Sequence, residues 1–336
     1  MTAATIIVVT YNSARWFARQ RAALETQTNK DWRLVIVDNA SALDQRPKPS
    51  DFPSAEIVQS EVNLGFAAAN NMAAHEADTP FLVLLNPDAF PEPDWMAQLL
   101  ALAERYPDVA AIGSTQRADM PGVLDGTGDV LHASGLAFRS NHGKRAAVPA
   151  LGETFSACAA AMLIRREAFE RVGGFDERYS SYFEDVDLGF RLRLAGGRIL
   201  QSPDAIVTHV GGGAGGGTAQ AHFLGARNRV WTFVKCMPAP LFWLLLPLHA
   251  LACAAAATVS LFAGRGLAAW RGTFAGFSSM GAIWPSRLAI QNARVASTAD
   301  IARALAWSPL VFFGRRPVIR PLASHRQDQH QQPTSD

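Results

Sequence analysis

Apolar residues fall in short continuous runs through the first third of the chain, separated by longer segments of mixed character. Ile6–Val9, Leu34–Val37, Glu56–Gln59, Phe81–Leu85 and Val109–Ile112 read as strands. Between them, residues from Asn12 or Ser13 to about Gln27, Phe66–Glu76 and Pro93–Tyr106 read as helices, with Asn12 or Ser13 as a candidate cap for the first. Continuous apolar strands alternating with helices predict an α/β fold, a mainly parallel sheet covered on both faces. Ligands of such sheets bind beyond the carboxyl ends of the strands, where the strand order reverses. Polar residues occupy those ends here: Thr10-Tyr11-Asn12, Asp38-Asn39 and Asn86-Pro87-Asp88. Further on, residues 114–150 read as glycine-rich loop, Glu184–Ala195 as a helix ended by Gly196-Gly197, and Ile206–His209 as a strand end before a nearly all-glycine stretch, Gly211–Gly217.

The pattern changes after residue 235. Ala239–Ala263 is 25 residues without a charge, long enough to span a bilayer but interrupted by Pro240 and Pro247. A span, an interfacial pair of helices and a buried soluble helix all satisfy that pattern. Net charge sharpens the contrast. Residues 1–226 carry 19 Lys/Arg and 26 Asp/Glu, whereas residues 227–326 carry 12 Lys/Arg and a single acid, Asp300. A basic segment wrapped around an apolar run suits an anionic membrane surface, and it lacks a nucleic-acid recognition motif. The three cysteines (Cys158, Cys236, Cys253) form no CxxC pair, so they read as buried small residues in a reducing compartment. Met1–Thr5 leads straight into the first strand without a basic, signal-like segment, so the expectation is a chain that stays on the cytoplasmic side.

Several residues carry candidate chemistry, each with a plainer reading beside it. Asp88, just past a buried strand, suits a hard cation such as Mg²⁺ or Mn²⁺, though Asn-Pro-Asp is also a common turn. In Glu184-Asp185-Val186-Asp187 three acids open a helix, which favours the helix dipole; a carboxylate held there can also act as a general base. His209 before a glycine loop is a structural histidine or a ligand to metal or phosphate, and the loop amides can approach an anion or serve as a hinge. Asp38 can accept from a base or ribose, or end a turn. Asn63, Gly65 and Asn71 flank a helix N-terminus that would attract an anion, or are simply turn and cap.

In chain order these segments are Thr10-Tyr11-Asn12, Val37-Asp38-Asn39-Ala40-Ser41, Asn63-Leu64-Gly65-Phe66 with Asn70-Asn71, and Leu85-Asn86-Pro87-Asp88. Gly173-Gly174-Phe175-Asp176, Phe183-Glu184-Asp185-Val186-Asp187 and His209 with its glycines follow, and Arg227-Asn228-Arg229 closes the set. Over residues 4–235 this order resembles glycosyltransferase family 2, in particular its rhamnosyltransferase-like members. The resemblance implies a GT-A fold and inverting transfer from a nucleoside-diphosphate sugar to a glycan or polyprenyl-diphosphate-linked acceptor. Asp185 would be the base, supported by Glu184 and Asp187 or with these two contacting the acceptor. Thr10, Tyr11, Asn12, Asp38, Asn63, Gly65, Asn71 and Asn86 would bind the nucleotide sugar. Asp88 and His209 would ligate a divalent metal, with Asn86 standing where many relatives have a first acid. Residues 1–235 would form the catalytic domain, 236–314 a helical membrane-associating extension and 315–336 a disordered tail, with the enzyme at the inner face of the plasma membrane. Two alternatives compete. A sugar-1-phosphate nucleotidylyltransferase would carry a Gly-rich basic loop where this chain has Thr10-Tyr11-Asn12-Ser13. A non-catalytic sugar-nucleotide-binding or membrane scaffold protein would tolerate loss of Asp185.

Overall fold

The computed structural model describes residues 2–211, 217–262, 264 and 266–322. The first part runs β1 (Ala4–Thr10), α1 (Ala14–Glu25), β2 (Trp32–Asn39), β3 (Ala55–Ser60), α2 (Gly65–His75), β4 (Phe81–Leu85), β5 (Ala89–Pro91), α3 (Trp95–Arg105) and β6 (Val109–Ala118). Short strands β7 (Leu124–Gly126), β8 (Asp129–Leu131), β9 (Ala137–Arg139) and β10 (Gly152–Glu153) occupy the glycine-rich segment. Then come β11 (Ala161–Arg165), α4 (Arg166–Arg171), α5 (Glu184–Leu194) and β12 (Arg198–His209). Five helices complete the chain: α6 (Ala219–Cys236), α7 (Ala239–Phe262), α8 (Gly266–Ser278), α9 (Met280–Asn292) and α10 (Thr298–Ala304).

The main sheet has the order β10-β12-β6-β11-β4-β1-β2-β3. β1 pairs in parallel with β2 on one side and β4 on the other, so the strand order reverses beside β1. β11 runs antiparallel between β4 and β6, which makes the sheet mixed. A continuous apolar run reports burial on both faces and says nothing of direction, so the sequence could not reveal this strand's polarity. Successive residues of β1 enter opposite cores: Ile6 and Val8 pack under α1 and α3 with Phe17, Trp95 and Leu99, and Ile7 packs under α2 with Ala69 and Ala73. Neither Asn12 nor Ser13 caps α1 through its side chain. Asn12 takes φ 51° and instead joins the end of β1 to the end of β2, its Oδ1 accepting from Ala42 N–H at 2.9 Å and its own N–H donating to Ser41 Oγ at 2.9 Å.

The C-terminal helices do not stand apart. His249 on α7 is buried and shares a 2.8 Å hydrogen bond with the Ser134 carbonyl. Arg287 on α9 donates to the Val234 and Met237 carbonyls at 2.6 and 2.7 Å, filling acceptors left open at the end of α6. The disorder expected from residue 315 does not hold for residues 315–322. Arg320 and Glu153 exchange backbone hydrogen bonds of 2.8 and 2.9 Å, and Leu322 packs on the core under β1, because the edge strand β10 offers unpaired backbone groups. Residues 323–336, the rest of that expected tail, lie outside the described residues.

Helix α7 has 24 residues and is long and apolar enough to cross a membrane. One stripe, Leu241, Phe242, Leu245, His249, Cys253 and Ala257, is buried. The other side leaves Trp243, Leu244, Leu251 and Phe262 exposed at 63, 70, 70 and 91%. All three cysteines are free and buried.

α8 packs closely on α6 because Ala269, Gly272 and Gly276 face it. A Cβ at Gly272 would collide with the Phe223 carbonyl, and one at Gly276 would sit 2.7 Å from Val230 Cβ. Gly272→Val is therefore expected to destabilise the protein by about 1–3 kcal/mol through overpacking. A lower denaturant midpoint at unchanged m-value checks this.

Candidate active site

A cleft of about 1030 Å³ lies over the carboxyl ends of β1 and β4, where the strand order reverses. It gathers Tyr11, Asn12, Asn63, Gly65, Asn86, Asp88, Glu184, Asp185 and His209 from across the sequence. Thr10, Asp38, Asn71 and Asp187 do not line it. Thr10 and Asp38 are fully buried behind the cleft wall, with Thr10 Oγ1 3.5 Å from Asp38 Oδ1. Arg46 approaches Asp38 Oδ2 at 3.7 Å, yet that oxygen has no hydrogen-bond partner. At the end of β2 the residue facing the cleft is Asn39, which the sequence places at that strand end but to which it assigns no ligand role.

The expected anion site at the N-terminus of α2 is already filled. Phe66 and Ala67 N–H both donate to the Ser180 carbonyl, at 2.9 and 3.3 Å. Gly65 N–H donates to Asn63 Oδ1 at 2.9 Å and Leu64 N–H to Asn39 Oδ1 at 2.7 Å. Gly65 is required there: its φ is +80°, and a Cβ would lie 2.7 Å from Ser180 Oγ. Asn71 pairs with the backbone of Phe175 in both directions, at 2.8 and 2.9 Å, and so fixes the Gly173-Gly174 turn rather than a ligand.

One end of the cleft holds Asp88 and His209. Pairing of β5 with β12 sets His209 opposite Ala89, which brings the Asp88 carboxylate alongside the ring. His209 Nε2 is 3.4 Å from Asp88 Oδ1, and Nδ1 is 2.8 Å from Asp125 Oδ2. Burial pushes the His209 pKa down, but the Asp125 and Asp88 carboxylates outweigh it and hold the ring above its ordinary value. Asp125 was not legible in the sequence, since it sits in a glycine-rich loop with no local motif. It is fixed by Arg139 and His142 as well as by His209. A carboxylate on Nδ1–H turns the lone pair of Nε2 outward, the usual support for a metal-ligating histidine. When the ring is neutral, Nε2 and Asp88 face each other as two acceptors, an arrangement that a cation in place of the Nε2 proton satisfies. Among the described residues no three His, Cys, Asp or Glu side chains gather to hold a metal by themselves. One imidazole and one carboxylate fit Mg²⁺ or Mn²⁺ when phosphate oxygens complete the shell.

α5 supplies further acids to the cleft. Ser180, Tyr182 and Phe183 take left-handed φ angles of 61, 69 and 70°. Such positions cost about 1–3 kcal/mol each and persist only when neighbours enforce them. Here Asn228 on α6, fully buried, donates its amide to the carbonyls of Tyr179, Ser181 and Tyr182, the last at 2.7 Å. This is the work of the central residue of Arg227-Asn228-Arg229. The turn presents Glu184 and Asp185 to the cleft. Asp185 Oδ1 accepts from Val186 N–H at 2.8 Å and Oδ2 from Ala159 N–H at 3.4 Å. Burial raises its pKa, and Arg139 with these amides pulls it partly back.

Asp187 points the opposite way. It is fully buried, bound by Arg191 Nε at 2.8 Å, Lys235 Nζ at 2.9 Å and the Tyr179 hydroxyl at 3.0 Å. The expectation that it supports the base or contacts acceptor is corrected: two residues past Asp185 is roughly 200° around the helix, which turns it into the protein. Residues 212–216 of the glycine stretch lie outside the described residues, and Gly211 borders the cleft.

The profile of Glycosyl transferase family 2 matches residues 5–173. The chain belongs to that family. It is a glycosyltransferase, and a mannosyltransferase from Pyrobaculum calidifontis, solved with GDP-Man and Mn²⁺, shares its GT-A fold at TM-score 0.52 and 21% identity, over 86% of each chain. GalNAc-T7, solved with UDP, GalNAc and Mn²⁺, matches at TM-score 0.56 and 15% identity, over 70% of this chain and 48% of that one. In sequence, the enzyme is 28% identical over 278 residues to the N-acetylglucosaminyl-diphospho-decaprenol L-rhamnosyltransferase of Mycobacterium tuberculosis, spanning 71% of this chain and 88% of the relative.

The two acids of α5 should separate cleanly in this enzyme. Asp187→Ala leaves Arg191 buried without its carboxylate and Lys235 with Asp176 alone, and is expected to cost about 3–5 kcal/mol, read by denaturant unfolding. Asp185→Asn, which removes a charge from a group of acids, is expected to leave stability unchanged or raised. Burial raises the pKa of Asp187 and of Asp176, but Lys235 with Arg191 or Arg178 outweighs it, so both groups titrate below the ordinary aspartate value. They contribute stability at neutral pH, and it is lost as the pH falls through the unfolded-state value toward the folded one. Unfolding free energy measured from neutral to acid pH should decline over that interval, less steeply in Asp187→Asn.

Proposed function

We propose that this enzyme transfers rhamnose or a similar hexose, with inversion, from a nucleoside-diphosphate sugar to a polyprenyl-diphosphate-linked glycan of the cell envelope, at the cytoplasmic face of the plasma membrane. The observation that carries the reading is the presence, in one cleft, of the Asp88–His209 pair and Asp185. The printed activity of the mycobacterial relative supports the sugar and the lipid carrier. Mn²⁺ in both structural neighbours supports a divalent cation.

Tyr11, Asn12, Asn39, Asn63 and Asn86 line the donor end and suit a nucleotide's hydroxyls and base edges, and buried Asp38 keeps an open acceptor oxygen behind them. Asp88 and His209 would hold the cation, which when bound supplies positive charge against the departing diphosphate. Asp185 takes the proton of the attacking hydroxyl. Its two backbone donors favour the ionised form, which a base needs. A single displacement of this kind, with the diphosphate leaving on the far side, inverts the anomeric carbon.

Thermal unfolding with a panel of nucleoside diphosphates tests the donor side. With Mn²⁺, deoxythymidine diphosphate at a hundredfold excess over its Kd is expected to stabilise the protein by about 2.7 kcal/mol. Asp88→Ala should lose that shift, and a wild-type protein indifferent to every nucleotide would overturn the reading. Asp185→Asn should lower kcat about 10²–10⁴-fold with little change in donor KM.

The membrane is assigned to the exposed side of α7 and α8. Trp243, Leu244, Leu251, Phe262 and Phe274 present apolar surface, with exposed Arg271, Arg315 and Arg316 to meet anionic headgroups. The opposite stripe of α7 is packed from Leu241 to Ala257, which favours a helix lying in the bilayer surface over one crossing it. Deleting residues 236–336 would also strip the core around Phe233, so point changes are the cleaner test. Leu251→Glu with Phe262→Glu should abolish co-sedimentation with phosphatidylglycerol vesicles while the protein stays folded. A doubly substituted protein that still pellets with vesicles would refute the assignment.

A further inference from the structure

β8 and β9 form a two-stranded ribbon whose register sets Asp129 directly opposite Arg139. An ion pair across the ribbon would be the simple outcome. Arg139 instead passes over Gly126, where any Cβ would collide with its side chain, and gives its guanidinium to Asp125. Asp129 is left 5% exposed on the cleft wall, and its Oδ2 has no hydrogen-bond partner. Its backbone is fixed on both sides, N–H to the Ser156 carbonyl at 2.9 Å and carbonyl from Thr154 Oγ1 at 3.1 Å, so the carboxyl is held in place.

A second orphan lies nearby. Glu184 Oε2 is buried without a partner on the same cleft wall, aimed there by the left-handed Phe183. Asp185 adjoins both electrostatically. Burial raises the pKa of Asp129 and Glu184, and the Asp185 charge raises each further. Asp185 alone of the three has a backbone donor on each carboxyl oxygen. Those donors favour the ionised form of Asp185, whereas Asp129 Oδ2 and Glu184 Oε2 have none.

Buried polar atoms without partners are rare in folded proteins, and two on the wall of one open cleft are placed to take theirs from a bound ligand. A protonated carboxyl both donates and accepts, as a sugar hydroxyl does. A diphosphate would be repelled by the Asp185 carboxylate beside them, so the matching ligand is a neutral polyol ring. We propose that Asp129 and Glu184 form the subsite for the acceptor's sugar ring, with Asp129 binding a hydroxyl next to the one that Asp185 deprotonates. The proposal rests on Asp185 as the base, as set out under Proposed function.

The test compares wild type, Asp129→Asn and Asp129→Ala, using deoxythymidine-diphosphate rhamnose and a short-chain N-acetylglucosaminyl-diphospho-lipid. Asp129→Ala should raise acceptor KM about ten- to a hundredfold, the scale of a lost hydrogen bond in a buried site, with nucleotide affinity intact. Asp129→Asn, which keeps an N–H donor, should restore acceptor KM to within about threefold of wild type. An unchanged acceptor KM in Asp129→Ala overturns the subsite, and so does Asp129→Asn as impaired as alanine. Glu184→Gln and Glu184→Ala provide the same comparison should Asp129→Ala fail to fold. If wild type does not glycosylate this lipid, the acceptor under Proposed function is wrong. The subsite is then read by saturation-transfer NMR with free methyl glycosides of N-acetylglucosamine, rhamnose and mannose. A signal seen in wild type and Asp129→Asn but lost in Asp129→Ala upholds it, whereas equal signals in all three, or none, overturn it.

Discussion

Lys235 on α6 and Asp187 on α5 meet out of water, with Arg191, Asp176 and the Tyr179 hydroxyl around them. Burying so many charges contributes little net stability, because desolvation offsets most of the attraction. What the cluster supplies is geometry. It clamps α5 to α6, and α6 carries the Asn228 amide that gathers three carbonyls of the strained turn before α5. Without that clamp the left-handed run at Ser180, Tyr182 and Phe183 would relax, and Glu184 and Asp185 would leave the cleft. The same turn lends the Ser180 carbonyl to the first amides of α2. One buried charge group therefore sets Glu184 and Asp185 in the cleft and closes off the helix end that would otherwise draw an anion.

The opposite wall depends on strand register rather than on charge. β12 follows β6 in parallel and then takes β5 as an antiparallel neighbour, so Asp88 and His209 meet although 121 positions separate them in sequence. Asp125, on the short strand beside β6, supports the histidine from behind. Arg139 links the two walls. It neutralises Asp125 directly and moderates the charge of Asp185 from a distance, so its position biases both ends of the site.

Much of this was legible from residue order. Apolar runs located β1 to β4 and β6 with their helices, and the positional rule for α/β sheets put Asn12, Asn86 and Asp88 in one cleft. The failures have physical causes. Local pattern cannot say which way a doubly buried strand runs, which hid the polarity of β11. It also cannot see that a carbonyl from residue 180 occupies the amides of residues 66 and 67. Asp187 looked like a site residue because three acids at a helix start share one local context. Only the packing of α6 shows that it turns inward. Asp125 and Asp129 carry no signal in a loop of glycines, and they acquire meaning from cross-strand neighbours.

His249 stacks flat on Phe233, with ring centroids 4.0 Å apart, and binds the Ser134 carbonyl in the loop between β8 and β9. The apolar face of α7 is thereby tied rigidly to the ribbon that bears Asp129 and Arg139. If that face rests in lipid headgroups, the reacting atoms hang at a fixed height above the bilayer, and the protein works as a ruler. A lipid-borne glycan is then sorted by length as well as by chemistry. A chain one sugar too short leaves its terminal hydroxyl below the base, and one too long carries it past.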